Sequence, residues 1–346
     1  MRLKTLLISA FATGMILLGT LPGCRKNRDV PAATPVTLEI PAGFPQPVYD
    51  LTRTPLTKEG IALGRRLFYE GQLSRDGNYP CASCHQQVGA FTTYDHDLSH
   101  GYNNSHTMRN APALANLAWQ SAFGQDGRYT RLEDLFAAHL TAGNEMAETV
   151  DRVVAKLRAY AGYREAFRRA FGDESITGER MFNALAQFTL TMVSANSKWD
   201  KVQRGEATFS VNEASGQALF QQKCAACHAG PLFTDGSYRN IGLPLNPLLN
   251  DYGRMLVTGQ SSDSLKFRVP SLRNLYLSST YAHDGRIPGV QTMIHHYRTG
   301  VQASPTLDPL LGQGIGLNNA DVADLAAFLR TLSDTGYIKD PRFAAP

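Results

Sequence analysis

A short cysteine and histidine motif occurs twice in this chain and constrains its fold more than any other sequence feature. Cysteine, two further residues, cysteine and histidine follow one another at 81–85 and again at 224–228. This spacing suits two thioether bonds to one porphyrin and delivers the histidine to the iron. A thioredoxin-like redox pair needs no trailing histidine, whereas a zinc site could use the same atoms. The sequence predicts two covalently attached c-type haems, held by Cys81, Cys84, Cys224 and Cys227, with His85 and His228 as axial ligands.

The segments that follow the two motifs repeat each other. Pro-x-Leu-x-Asn-Leu occurs at 112–117 and 270–275, and Asp-Gly-Arg occurs at 126–128 and 284–286. The offset is 158 residues in both cases (270 minus 112 and 284 minus 126). A constant offset predicts two structurally similar haem units related by internal duplication.

Helical patterns dominate the rest of the chain. Thr57 can cap a helix before the first motif, and Ser210 with Glu213 forms a capping box before the second. The segments 148–171 and 178–193 have helical periodicity and no strand alternation. The predicted fold class is therefore mainly α, with two cytochrome c-like haem domains.

The first residues indicate export. Arg2 and Lys4 precede an apolar run that ends in Leu-Pro-Gly-Cys, with the cysteine at position 24. This pattern is typical of a lipoprotein signal peptide, which is cut before a cysteine that carries lipid. A signal cut further along, which would leave Cys24 without a role, is the alternative. We expect a periplasmic lipoprotein anchored to a membrane through lipid on Cys24.

Charge and composition limit the classes of partner and indicate where the folded part of the chain begins. Removal of residues 1–23 takes away Arg2 and Lys4 and no acid, so the formal charge falls from +4 to +2. The charges are dispersed without a polybasic run, which argues against a nucleic-acid partner. Five prolines between positions 30 and 48 favour an extended tether at 24–48.

With these motifs in hand, the chain resembles the bacterial diheme cytochrome c peroxidase family, which also contains the MauG enzymes. The resemblance covers most of residues 50–335. Beside the haem motifs, it rests on Leu63-Gly64-x-x-Leu67-Phe68, Arg109-Asn110-Ala111-Pro112, Asp126-Gly127-Arg128, Glu145-Met146, Asp251-x-Gly253-Arg254, Pro270-Ser271-Leu272-Arg273-Asn274 and His283-Asp284-Gly285-Arg286.

The resemblance implies that the chain reduces hydrogen peroxide to water. Peroxide would react at a low-potential haem in an N-terminal domain at 49–205. A high-potential haem in a C-terminal domain at 206–340 would take electrons from a small donor such as cytochrome c. Two alternatives stay open: a MauG-like oxidase of a protein or small molecule, and a non-catalytic diheme electron-transfer protein. Family members are usually dimers, and the sequence leaves open whether this chain forms a homodimer.

The resemblance also implies roles around the first haem. Glu145 matches the distal glutamate, which is expected to carry a proton between the oxygens of bound peroxide. His100 matches a loop histidine that blocks the first haem of resting peroxidases. The internal offset adds His139 to the distal side, because 297 minus 158 is 139, so two histidines compete for one role.

At the second haem, family spacing from His283 places Tyr297 where peroxidases carry methionine and MauG-type members carry tyrosine. The family further implies a calcium ion between the haems. It would be held by the Asn110 side chain and by backbone carbonyls near Ser278 and Thr280, since oxygen ligands suit this cation.

Two positions depart from the family pattern. Gln125 stands where peroxidases usually carry a tryptophan between the haems, although Trp119 is near enough in sequence to substitute. Leu135 stands in place of a distal glutamine. Arg128 and Arg286 could pair with haem propionates or close the turns in which they lie.

Overall fold

The structure is a computed structural model that describes residues 32–346, and it confirms the prediction of a mainly helical chain. The helices are α1 (Lys58–Phe68), α2 (Cys81–Cys84), α3 (Leu132–Thr141), α4 (Val150–Ala159), α5 (Ala161–Phe171), α6 (Gly178–Leu190), α7 (Lys198–Gln203), α8 (Val211–Lys223), α9 (Met255–Thr258), α10 (Val290–His295) and α11 (Asn319–Arg330). The signal peptide, Cys24 and the start of the predicted tether lie outside the described residues. Within 32–346, no helix is both long and apolar enough to cross a bilayer.

Short antiparallel strand pairs join the loops between the helices. The strands are β1 (His100–Gly101) with β2 (Ser105–His106), β3 (Tyr238–Arg239) with β4 (Phe267–Arg268), and β5 (Thr280–Tyr281) with β6 (Ile287–Pro288).

Two helix pairs form the frame of the molecule. In the first half α1 packs on α6, and in the second half α8 packs on α11. Gly64 of α1 lies against the backbone carbonyl of Ala184, and Gly216 of α8 lies against that of Asp324. A Cβ at either glycine would clash with that carbonyl, so each pair needs glycine at its crossing point.

A phenylalanine beside each motif fills a hydrophobic core next to its helix pair. Phe68, at the end of α1, packs against Phe91 with ring centroids 6.0 Å apart. Phe220, near the end of α8, packs against Phe233 at 5.7 Å. Phe91 and Phe233 both lie just after a haem motif, so each core packs against the loop that follows its motif.

Buried ion pairs join the two halves. Arg109 of the first half binds Asp126 at 2.8 Å and reaches Asp251 of the second half at 2.6 Å. Both carboxylates are almost fully buried. Burial raises the pKa of Asp251, but hydrogen bonding and the charge of Arg109 outweigh it, so the net pKa is lowered and the carboxylate stays ionised.

The N-terminal segment packs on the body from residue 34 onward, whereas its composition predicts an extended tether up to residue 48. Residues 34–48 lie against the first half, where the Phe44 ring packs edge-on to Trp119 at 5.2 Å. The indole N–H of Trp119 donates to the carbonyl of Pro45 at 2.7 Å. The segment forms no helix and turns once at 42–43, and it is packed because its apolar side chains contact the core of the first half.

The C-terminal segment also belongs to the first half in space. After α11 the chain runs back across α1, where the Tyr69 hydroxyl donates to the carbonyl of Phe343 at 2.7 Å. The Arg65 guanidinium donates to the carbonyl of Ala344 at the same distance. Both ends of the described chain therefore pack on the N-terminal haem unit.

Candidate active site

The first motif forms α2 and ends in a histidine whose ring is ready to bind a metal. The Nδ1–H of His85 donates to the carbonyl of Phe91 at 2.8 Å, which fixes the orientation of the ring. Burial lowers the pKa of His85 to about 4, so the ring is neutral at physiological pH, as an iron ligand must be. Cys81 and Cys84 form no disulfide, and both are only partly buried. These features fit a haem attached at this motif.

A paired histidine and glutamate face the same pocket. His139 Nδ1 lies 2.5 Å from Glu145 Oε2. The charge of Glu145 acts on the thiols of Cys81 and Cys84 and on His85, so its carboxylate lies near the motif. The side chains of His139 and Glu145 are 46% and 25% exposed, so both remain accessible to a small molecule.

The His139–Glu145 pair holds a proton more tightly than an isolated histidine would. Burial lowers the pKa of His139, but the hydrogen bond and the charge of Glu145 raise it by more. A protonated ring beside a carboxylate is a charge-assisted hydrogen bond, which is short and strong. His139 therefore has a hydrogen-bond partner, Glu145, that the sequence spacing did not indicate.

His100 lies at the edge of the same pocket, on a loop beside Glu145. The amide of Tyr102 donates to the carbonyl of Glu145 at 2.7 Å and fixes the loop there. The His100 ring itself packs against His96 and His106, with centroids 5.0 and 4.5 Å apart. As a haem ligand, His100 would have to leave this histidine cluster.

The second motif repeats the arrangement of the first. The Nδ1–H of His228 donates to the carbonyl of Phe233 at 3.1 Å, and burial lowers the pKa of His228. Tyr297 lies near this motif, because the charges of the Cys224 and Cys227 thiolates would act on its phenol. Burial raises the pKa of Tyr297 well above its ordinary value, so the phenol is neutral unless a cation lies beside it.

A widened helical turn presents Tyr297. After α10 the chain forms a π-helical turn at His296–Gly300, a distortion that is frequent at functional sites. His296 Nε2 binds the carbonyl of Ile241 at 2.8 Å and anchors the turn. Met293 lies on α10, four residues before Tyr297 in the π-helical turn. The two side chains therefore cannot occupy one ligand position without a shift of the helix.

The three predicted calcium residues lie together between the halves. The Asn110 side-chain amide donates to the carbonyl of Asp97 at 2.8 Å and to the hydroxyl of Thr280 at 3.1 Å. The Ser278 hydroxyl donates to the carbonyl of Thr280 at 3.1 Å. Several oxygen atoms thus surround the Asn110 amide.

A zinc site at either motif finds no support in the described residues. Within 32–346, no three or more histidine, cysteine or acidic side chains are grouped so that they could hold a metal ion. A structural zinc ion needs four such ligands in a closed tetrahedron.

The position of the absent tryptophan is filled by a hydrogen-bonded glutamine. Gln125 Nε2 donates to the carbonyl of Asn110 at 2.9 Å, and the carbonyl of Gln125 accepts from the amide of Arg268 at 2.7 Å. Trp119 does not take over this place, because the N-terminal segment holds its indole. Gln125 therefore links the two halves, whereas a tryptophan there would add an aromatic ring.

Arg128 and Arg286 close their own turns. Arg128 binds Asp126 at 2.9 Å, and Arg286 binds Asp284 two residues before it. Both arginines therefore contribute to the turns in which they lie, as one of the two predicted roles requires.

Comparisons with known proteins agree with this geometry. The family model for di-haem cytochrome c peroxidases matches residues 58–208, and the cytochrome c model matches residues 213–333. The methylamine utilization protein MauG of Methylorubrum extorquens is 36% identical over 307 residues, which span 87% of this chain and 84% of MauG. The chain belongs to the di-haem cytochrome c peroxidase family. Family membership confirms the predicted resemblance and the prediction of two haem c groups.

Two further members of the di-haem peroxidase family are similar over most of their length. The cytochrome c551 peroxidase of Nitrosomonas europaea is 31% identical over 285 residues, which span 81% of each chain. The crystal structure of a MauG-like protein associated with microbial copper homeostasis superposes with a TM-score of 0.84 at 30% identity. It covers 90% of this chain and 99% of its own, so the fold extends over nearly the whole described chain.

Proposed function

We propose that this di-haem protein reduces hydrogen peroxide to water with electrons from a small donor protein such as cytochrome c. Each turnover takes one hydrogen peroxide, two electrons and two protons to two waters. The observation that carries the proposal is the His139–Glu145 pair, whose carboxylate lies near the first haem motif. The bound haem would supply an iron that accepts peroxide and electrons.

Glu145 would act as the proton carrier of the peroxide pocket. A carboxylate within hydrogen-bond reach can take the proton from one peroxide oxygen and return it to the other as the O–O bond breaks. His139 would hold this carboxylate in place through its Nδ1–H. Since the pKa of His139 is raised, the positively charged form persists to higher pH, and the pairing weakens as the pH rises through that pKa.

The second haem unit would deliver electrons. We assign the peroxidatic role to the domain at 49–205 and the electron-transfer role to the domain at 206–340, with Tyr297 as distal ligand of the second iron. Internal duplication of one haem unit would explain why Gly64 and Gly216 meet carbonyls in the same way. It would also explain why His85 and His228 donate to the carbonyls of corresponding phenylalanines.

Export and a lipid on Cys24 remain part of the proposal. A periplasmic location would bring the chain close to small cytochrome donors. Packing of residues 34–48 on the first half would hold that half close to the membrane surface, because little chain is left between Cys24 and the body.

Electron paramagnetic resonance of the purified protein tests the proposed function. We expect a high-spin ferric signal at the first haem, as isolated or after one-electron reduction, and its loss when peroxide is added. Peroxide should then be consumed in proportion to oxidised donor cytochrome c. Two low-spin haems that remain unchanged through reduction and peroxide addition would contradict the peroxidase and leave an electron carrier.

A MauG-like oxidase is the second candidate, and Tyr297 is the observation that favours it. Such an enzyme would store two oxidising equivalents across both haems and use them on a protein or small molecule. Gln125 in place of the tryptophan weighs against efficient sharing between the haems. A doubly oxidised state that survives for minutes after peroxide is added without donor would favour the oxidase over the peroxidase.

We also propose that a calcium ion binds where Asn110 meets the segment 278–280. A rotation of the Asn110 amide would direct its oxygen toward the carbonyls that now accept from its nitrogen. We expect prolonged chelation to release about one calcium per chain and to change the spectra of the haems, with recovery on adding calcium. Absence of calcium from the purified protein by elemental analysis, with unchanged spectra, would contradict this site.

A further inference from the structure

We infer that the C-terminal segment at 337–345 positions the axial histidine of the first haem, so that the end of the chain sets the reduction potential of that haem. The inference rests on haem attachment at Cys81 and Cys84 and does not depend on peroxide being the substrate. It assigns Tyr337 and Phe343 as positioning residues for His85, an iron ligand that is far from them in sequence.

The first step concerns the turn that supplies the hydrogen-bond acceptor of His85. The acceptor is the carbonyl of Phe91, and both Ala90 and Phe91 have left-handed backbone conformations, with φ of 55° and 62°. Residues with a Cβ seldom adopt this conformation, and two in succession persist only when the surrounding structure holds them. The position of the acceptor therefore depends on what packs against this turn.

The second step is that the C-terminal segment covers this turn. The Phe91 ring is fully buried and packs edge-on to Tyr337 at 5.6 Å and to Phe343 at 6.5 Å. The Gln87 side chain, in the same turn, donates to the carbonyl of Asp340 at 3.0 Å. Contacts of Phe343 and Ala344 with α1 hold the segment in place, as described above.

The second half provides an internal comparison. Phe233 accepts from His228 and is also left-handed, with φ of 54°. Its ring packs against Trp199 of α7, with centroids 4.9 Å apart. Each histidine turn is thus covered by an aromatic residue from outside its own helix pair, but only the first turn depends on the C-terminus for this cover.

The third step links the turn to the iron. A hydrogen bond from Nδ1–H to a carbonyl fixes the orientation of the imidazole and makes the ligating nitrogen more basic. A more basic axial ligand stabilises ferric over ferrous iron, so the reduction potential falls. Loosening of the Phe91 turn should weaken this bond and raise the potential of the first haem.

Spectroelectrochemical titration of the full-length protein with both haems attached tests the inference. In Phe343→Ala we expect the ratio of reduced to oxidised first haem to rise by threefold to tenfold at a fixed potential. This corresponds to a midpoint shift of about 30 to 59 mV for one electron. The second haem should keep its potential. Trp199→Ala should raise the potential of the second haem and leave that of the first unchanged. Phe343→Leu, which retains most of the apolar volume, should keep the parent potential at the first haem.

Two outcomes would overturn the inference. One is a folded Phe343→Ala protein in which the first haem keeps the parent potential. The other is an equal shift at both haems, which would indicate general loosening. If Phe343→Ala fails to fold, removal of residues 344–346 decides by the same criteria. This change removes the carbonyl that Arg65 binds at 2.7 Å and keeps both aromatic rings.

Discussion

Replacement of Glu145 by glutamine is expected to lower the kcat of peroxide reduction by about 10²- to 10⁴-fold. Glutamine has nearly the same shape and can keep a hydrogen bond to His139, but it cannot accept a proton and give it back. Steady-state assays with reduced cytochrome c measure the loss. Haem content and the spectra of both haems should match the parent, since Glu145 is only partly buried and packs in no core.

A matched control separates this effect from a general loss of negative charge. Asp134 is exposed in the first turn of α3, the helix that also carries His139. Asp134→Asn should leave kcat within about twofold, because a surface charge does not take part in proton transfer. If Glu145→Gln also retained kcat within twofold, Glu145 would not be the proton carrier, although the protein could still be a peroxidase.

The second large effect is expected for stability. Arg273→Met should lower the free energy of unfolding by about 3–5 kcal/mol, because it leaves a buried carboxylate without its partner. Arg273 is 3% exposed and binds both oxygens of Asp200, at 2.9 and 2.7 Å. Burial raises the pKa of Asp200, but Arg273 and the hydrogen bonds from Ser197 together outweigh burial and lower it. Chemical denaturation followed by circular dichroism measures the loss.

The pH dependence of this loss has a definite sign. A carboxylate whose pKa is lower in the folded protein contributes stability above its unfolded pKa, and this contribution disappears as the pH falls through the folded pKa. The difference between Arg273→Met and the parent should therefore shrink in acid, where Asp200 becomes protonated. A difference that is constant with pH would indicate lost packing instead of a lost ion pair.

An exposed ion pair provides the control for Arg273. Arg342 also binds an aspartate, Asp340, through two nitrogen atoms, but its side chain is 78% exposed. Pairs of this kind contribute about 0–1 kcal/mol. Arg342→Met should thus change stability by no more than that. Equal losses in the two variants would contradict the expected role of burial.

Local features of the sequence predicted local structure well. The side chain of Thr57 accepts from an amide in the first turn of α1, and Ser210 and Glu213 form the capping box that their spacing predicts. These signals succeed because the groups involved lie within one turn of helix. Family membership likewise depends on short motifs, which are complete in the sequence.

The pairing of His139 with Glu145 could not be predicted from either residue. The offset between the halves directs His139 to the first pocket, and the family motif does the same for Glu145. Their contact depends on the turn after α3, where the amide of Glu145 donates to the carbonyl of Ala142 and reverses the chain. Such a turn brings residues six positions apart together, beyond the reach of helical periodicity.

Composition alone did not predict that the N-terminal segment packs on the body. Five prolines predict extended backbone, and residues 34–48 form no helix, although a turn interrupts them at 42–43. Composition does not report whether an extended segment meets a surface. That outcome depends on Phe44 and its contact with Trp119, which are distant in sequence.

The return of the C-terminus to α1 also limits the order in which the protein can mature. Phe343 and Ala344 follow the second half in sequence, so the N-terminal unit cannot acquire its final packing until the second half has been synthesised. A truncated chain would retain both attachment motifs and lack the cover of the first histidine turn.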